Sequence, residues 1–192
     1  IILNTKSINN DIRQAGFGGV DKYKDFEKYK STDLIIDISK KTEQIVKKLG
    51  VQSKSFDEII QLAKDHKNKL RCIPSIQPIS DKDLSRISSG FGYRIDPHYG
   101  IRKFHAGTDF AAPRGTPIYA TGNGKVIKAE NRSRTGYGKY IVIDHGYNFK
   151  TQYAHLNKLA VNIGQNVKRG QLIGYVGSTG KSTSPHLHYE VR

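Results

Sequence analysis

The chain has 192 residues, of which 36% are hydrophobic and 26% charged, values usual for a folded globular protein. That length suits one compact domain with a smaller appended segment, and no apolar run reaches the roughly 18 residues of a membrane span. The formal net charge is +15, and residues 91–192 carry 15 Lys and Arg against 5 Asp and Glu, a local +10. This favours an anionic polymer as partner, but Lys and Arg do not cluster with aromatic residues, which argues against nucleic acid.

The first part of the chain reads as helical. Gly16–Gly19 interrupts a weak helical segment, and apolar residues then recur at helical spacing over 33–49. Gly50 stands where a helix stop is expected, and a Ser-x-x-Glu capping box at Ser55–Glu58 predicts a second helix that runs to about Arg71. We therefore expect a helical hairpin. The same apolar spacing also suits contact with a partner helix or a coiled coil with another copy.

The stretch 72–80 contains two prolines and no helical period, which predicts a linker. The expected domains are a helical segment, 1–75, and a second domain, 76–192. In the second domain glycine is frequent and short β-branched runs predict mostly sheet. The step Gly122-Asn123-Gly124 is typical of a hairpin turn, and two more strand-sized pieces flank Arg169-Gly170. The fold class expected is α+β.

Most of the histidines lie in this second domain, and two short motifs contain candidate metal ligands. His105 and Asp109 are four apart without a helical pattern, and His186 and His188 are two apart in a predicted strand, so both imidazoles project from one face. A catalytic zinc uses three protein ligands and leaves a fourth position for water. His105, Asp109 and one histidine of the 186/188 pair satisfy this count. The other histidine and His155 then remain as acid–base groups.

At these residues the sequence resembles the lysostaphin/LytM-type zinc endopeptidases, which cut cell-wall peptides. The resemblance covers roughly residues 85–192 and depends on HxxxD and a distant HxH with the blocks between them in family order. It implies an antiparallel β-sheet metallopeptidase domain with a hairpin similar to lipoyl-type hammerhead domains. The blocks are SGFGYR, KFHAGTDFAAPRGTPIYAT, GYGKYIVIDHG, YAHL, VKRGQLIGYVGSTG and SPHLHYEV.

The resemblance also implies a role for each site residue. His105, Asp109 and His188 would bind Zn²⁺, and His155 and His186 would form the catalytic pair. The implied activity is zinc-dependent hydrolysis of peptide crosslinks in bacterial peptidoglycan, and we expect direct D-Ala to diaminopimelate links rather than glycine bridges. The alternative is a non-catalytic LytM-like module that binds the wall and activates another hydrolase. The complete ligand set argues against that alternative.

Three further expectations concern the location of the protein and the roles of residues outside the candidate ligand set. The implied location is the cell envelope, periplasmic or extracellular, and the start at Ile1 leaves room for a membrane anchor upstream. Tyr137 and Tyr153 flank the expected groove and either contact the peptide or pack in the sheet. His145 is expected to have a structural role.

Overall fold

The computed structural model describes residues 32–96, 100–131 and 135–192. The break predicted at 16–19 and the weak helical segment before it lie outside these ranges. The chain divides between His66 and Lys67 into two compact units. Within the described residues, no helix combines the length and the apolar character that a bilayer crossing requires.

The first element in the described part of the chain is a single helix, α1, Thr32–Cys72. The predicted helical hairpin is therefore wrong. Gly50 lies inside α1, where a glycine costs only about 0.5–1 kcal/mol relative to alanine, and no proline interrupts 32–72. The capping box at Ser55–Glu58 therefore lies within α1 instead of starting a second helix, and no residue between 32 and 72 ends the helix.

Strands follow α1, and every pairing between them is antiparallel, which confirms the predicted mainly antiparallel sheet. The strands are β1 Arg86–Ser89, β2 Gly92–Ile95, β3 Arg102–His105, β4 Thr108–Ala111, β5 Pro117–Tyr119, β6 Gly124–Glu130, β7 Tyr140–Gly146, β8 Phe149–Ala154, β9 Leu156–Leu159, β10 Asn166–Val167, β11 Leu172–Val176 and β12 His186–Val191. The described residues form one seven-stranded sheet, in the order β1-β4-β12-β8-β7-β6-β10, a three-stranded sheet, β5-β11-β9, and a two-stranded sheet, β2-β3.

The hydrophobic core joins the two larger sheets. Ile141 and Ile143 of β7 and Leu187 of β12 are fully buried, as is Ile173 of β11 in the smaller sheet. Strand β7 alternates buried and half-buried side chains, as expected when one face of a strand packs on a core. Ile79 belongs to the same core, so the segment predicted as a linker is partly built into this unit.

The hairpin predicted at Gly122-Asn123-Gly124 is wrong, because β5 and β6 lie in different sheets. Glycine is required at positions 122 and 124 because backbone carbonyl groups from other segments lie close to both. A Cβ on Gly122 would lie 2.5 Å from the carbonyl oxygen of Cys72, and one on Gly124 would lie 2.5 Å from that of Asp144. Both distances are too short for a side chain.

The two strand-sized pieces predicted around Arg169-Gly170 are present as β10 and β11. They lie in different sheets and do not pair with each other. The likeness of this region to a lipoyl-type hammerhead stays a prediction.

Candidate metal centre

Strand register brings distant segments of the chain to one place. Strand β12 lies between β4 and β8, and its pairing with β4 sets His188 directly opposite Asp109 and His186 opposite Ala111. His105 ends β3, and residues 106–107 lead into β4. His105 and Asp109, predicted to lie outside a helix, are therefore on strands β3 and β4, and Asp109 lies beside the histidines of β12.

Three buried side chains offer candidate metal ligands within 4.8 Å of one another: His105, Asp109 and His188. Asp109 Oδ1 lies 3.1 Å from His105 Nε2 and 2.8 Å from His188 Nδ1, and the two nitrogens are 3.0 Å apart. Ligand atoms around a tetrahedral ion with bonds of 2.0–2.2 Å lie about 3.3 Å from one another, close to these separations. The nitrogen and oxygen donors of this set fit a metal ion.

The other ring nitrogens of the two histidines are held by acceptors. His105 Nδ1 donates to the carbonyl oxygen of Gly90 at 2.7 Å, and His188 Nε2 donates to Glu190 Oε1 at 2.9 Å. Since an acceptor requires an N–H, each neutral imidazole carries its proton there. The lone pairs of His105 Nε2 and His188 Nδ1 are consequently left for a metal.

Glu190 lies at the candidate site and was not predicted from the sequence. Its side chain is fully buried, and besides His188 it accepts hydrogen bonds from the Tyr137 hydroxyl at 2.7 Å and from Arg192 Nε at 2.7 Å. Burial alone would raise the pKa of Glu190, but the hydrogen bonds from His188, Tyr137 and Arg192 lower it to about 2. The signal was available, because Glu190 follows His188 by two residues on the same strand face.

Arg94 is a second residue that was missed. Its guanidinium donates to Asp109 Oδ2 at 3.2 Å, on the oxygen not shared with the two imidazoles. Asp109 therefore presents one oxygen to the histidines and one to a permanent cation. The arginine lies on β2, and its position in the SGFGYR block gave no indication of a partner 15 residues away.

His155 and His186 lie beside the ligand set, with ring centroids 4.8 Å apart. His155 Nδ1 donates to the carbonyl oxygen of Thr179 and His186 Nδ1 to that of Ser184, each at 2.8 Å. Both rings thus keep Nε2 as the nitrogen able to accept a proton. His186 Nε2 is 3.8 Å from Asp109 Oδ1, so the pair adjoins the ligands.

The backbone and the surroundings of His155 are both unusual. Its φ is 62°, in the left-handed region that residues other than glycine rarely adopt, and such strain clusters at functional sites. Burial lowers the pKa of His155 to about 4, which keeps the imidazole neutral at neutral pH.

The expectations for Tyr137, Tyr153 and His145 have different outcomes. Tyr137 lines the cavity over the site, whereas Tyr153 is fully buried and its hydroxyl contacts Thr121, so contact of Tyr153 with a peptide is excluded. His145 is buried away from the cavity and hydrogen-bonds Thr151 through Nε2, as a structural residue would.

A cavity of about 510 Å³ opens over the candidate ligands and the neighbouring histidines. One part of its lining is cationic, and another is a polar stretch just before β12 that includes Ser182. A cavity of this size admits a peptide segment.

The profile of Peptidase family M23 matches residues 103–192. Peptidoglycan DD-endopeptidase ShyB of Vibrio cholerae is 50% identical over 112 residues, which cover 58% of this chain and 26% of that protein. DD-carboxypeptidase/endopeptidase Mpg of Neisseria meningitidis is 49% identical over 108 residues, covering 56% of this chain and 24% of that protein. The chain thus spans about a quarter of the length of these relatives.

Two solved structures are similar to part of the chain. A zinc-containing peptidase from Vibrio cholerae aligns with a TM-score of 0.55 and 47% identity, covering 60% of this chain and 35% of that one. A variant of the catalytic domain of the prophage-encoded M23 protein EnpA from Enterococcus faecalis aligns with a TM-score of 0.53 and 37% identity, covering 60% of this chain and 85% of that one.

Proposed function

The chain belongs to peptidase family M23, and on this basis we propose that it is a zinc-dependent endopeptidase that hydrolyses peptide crosslinks of bacterial peptidoglycan. The observation that carries the proposal is the convergence of His105, Asp109 and His188 within 4.8 Å beside a second pair of histidines. The names of the matched relatives support the D,D-endopeptidase activity.

We assign the metal to zinc. Two imidazole nitrogens and one carboxylate oxygen form a donor set that zinc favours, and three protein ligands are the number used by catalytic sites. A matched structure is that of a zinc-containing peptidase, which supports the same ion. When bound, zinc supplies a water of lowered pKa and polarises the scissile carbonyl.

The residues of the site then have two kinds of role, metal binding and proton transfer. His105, Asp109 and His188 hold the ion, with Gly90 and Glu190 fixing the tautomers of the two histidines. His155 and His186 accept a proton from the attacking water at Nε2 and return it to the amine that leaves. The neutral state of His155 at neutral pH suits the first of these steps.

The substrate sets the location. An enzyme with this substrate works in the cell envelope or outside the cell, and we place the protein there. The non-catalytic LytM-like module is not favoured, because the ligand set is complete and the matched relatives carry names of active enzymes.

The test is digestion of purified crosslinked peptidoglycan, followed by mass analysis of the released muropeptides. We expect D-Ala to diaminopimelate dimers to disappear and monomers to accumulate, and a chelator to stop the reaction. The His155→Ala variant is the control for a contaminating hydrolase. Intact dimers after digestion with metal-loaded protein would contradict the proposal, as would release of glycine fragments alone.

A further inference from the structure

Three cations share one wall of the metal cavity. Arg94 of β2 pairs directly opposite Lys103 of β3, and Lys103 Nζ and Lys181 Nζ lie 3.9 Å and 3.3 Å from the same oxygen, Asp96 Oδ2. All four side chains line the cavity. We call Arg94, Lys103 and Lys181 the cationic wall.

This arrangement is not what stability alone would select. Like charges directly opposite in an antiparallel pair destabilise a sheet, and here Arg94 faces Lys103. Asp96 offsets part of that repulsion, but the described residues that line the cavity include four Lys or Arg against three Asp or Glu. A wall with excess positive charge next to a cavity is suited to an anionic ligand.

A metal ion would make the excess larger. Arg94 is paired with Asp109, the carboxylate assigned to the metal. A divalent cation bound to Asp109 would neutralise the carboxylate that pairs with Arg94. The electrostatic potential that the cationic wall produces in the cavity would then be more positive. The guanidinium retains further N–H donors in a planar fork that matches a carboxylate.

We propose that the cationic wall binds a free carboxylate of the peptide substrate on the leaving-group side of the scissile bond, an inference that rests on the proposed function. In a D-Ala to diaminopimelate crosslink, the carbon attached to the scissile nitrogen also bears a free carboxylate. Among the carboxylates of a stem peptide, this one is held nearest the reacting carbonyl. Arg94 touches a candidate metal ligand and is therefore placed for it. A glycine bridge has no carboxylate at that position.

The test compares two synthetic crosslinked peptides that differ only at this group, as the free acid or as its carboxamide. Metal-loaded protein should cleave the acid with a kcat/KM about tenfold higher, mainly through KM, since a charged hydrogen bond contributes on this scale. The preference should fall to within about twofold in Arg94→Gln and in Lys103→Gln. The matched control is Arg102→Gln, on the same hairpin with its guanidinium over the Tyr93 ring and outside the cavity lining, which should keep the preference.

A binding measurement separates this inference from the activity itself. Metal-loaded His155→Ala protein is titrated calorimetrically with both peptides, with and without Arg94→Gln. Tighter binding of the acid that disappears in Arg94→Gln supports the cationic wall. This holds even if the protein with His155 intact cleaves neither peptide, because a lack of cleavage would refute only the proposed endopeptidase activity. Equal binding of acid and amide, or a preference that survives Arg94→Gln and Lys103→Gln, overturns the inference.

Discussion

Among single residues, the histidines of the centre differ in which ring nitrogen is anchored. His188 is anchored through Nε2 and presents Nδ1, whereas His105, His155 and His186 are anchored through Nδ1 and present Nε2. The anchors are three backbone carbonyls and one carboxylate, that of Glu190. His186 Nδ1 also lies 3.2 Å from the Ser182 hydroxyl, so what distinguishes His188 is a charged anchor, and substitutions at His188 and Glu190 are informative.

The two histidines of β12 should have separable roles. His188→Ala should lose most of the bound metal, and added zinc should no longer raise its melting temperature. His186→Ala and His155→Ala should keep the metal and lose about 10²-fold or more in rate, the scale of a positioned acid–base group. Zinc content and turnover are measured on all three variants in parallel. A folded but metal-free His186→Ala, or a zinc-replete His188→Ala, would reverse the assignment.

The anchor itself is open to test through Glu190. Glu190→Gln keeps an acceptor for His188 but removes the negative charge that raises the basicity of the ring. Zinc affinity, measured by competition with a chromophoric chelator, should fall by about 10- to 100-fold. Tyr137→Phe removes one donor to the same carboxylate and should have the smaller effect. An unchanged affinity in Glu190→Gln would show that this carboxylate only fills space.

His145 should make stability depend on pH. Burial lowers its pKa below the value of 6.5 expected in the unfolded chain. The unfolded state therefore binds more protons as the pH falls, so the contribution of His145 is full above about pH 6.5 and is lost below it. In chelator-treated protein, the melting temperature of His145→Gln should fall less between about pH 7.5 and 5.5 than that of the wild type. His66→Gln is the matched control, and parallel curves for wild type and His145→Gln would exclude this role.

At the scale of elements, substitution by alanine should change stability in opposite directions at two glycines that both have open space around them. A Cβ on Gly50 of α1 or on Gly164 of the turn before β10 would meet nothing within 4 Å. Gly50 is helical, so Gly50→Ala should stabilise α1 by about 0.5–1 kcal/mol. Gly164 has a φ of 84°, so Gly164→Ala should destabilise its unit by about 1–2 kcal/mol. Thermal unfolding followed by circular dichroism gives both values, and equal signs would contradict the argument.

The elements also show what the sequence allowed to be predicted. The strand runs and the two motifs, HxxxD and HxH, were readable because alternation and ligand spacing are local properties of the chain. That the two motifs form one site was implied by the family resemblance. The continuity of α1 was not, since Gly50 and the box at Ser55–Glu58 resemble a stop and a start while costing little inside a helix. Partners such as Arg94 for Asp109 depend on which strands become neighbours, and spacing along the chain does not encode that.

On the scale of the whole molecule, the unit from Lys67 onward should hold the centre unaided. The end of α1 is tied to this unit, because the carbonyl oxygen of Arg71 accepts from the Asn123 amide at 2.8 Å. A chain that begins at Lys67 should fold and bind one zinc with the affinity of the full chain. A chain that begins at Ser80 loses this tie and the buried Ile79, and should melt at a lower temperature. Loss of metal from a folded chain beginning at Lys67 would assign part of the centre to residues 1–66.

The central place of β12 has a consequence for how the protein is made. His186 and His188 lie on a strand inserted between β4 and β8, although β12 is synthesised after both of them. Until β12 is inserted, β4 and β8 lack their shared neighbour, and His186 and His188 are missing from the candidate metal centre. Under the proposed function, prematurely terminated copies that stop before residue 186 should therefore be inert toward peptidoglycan.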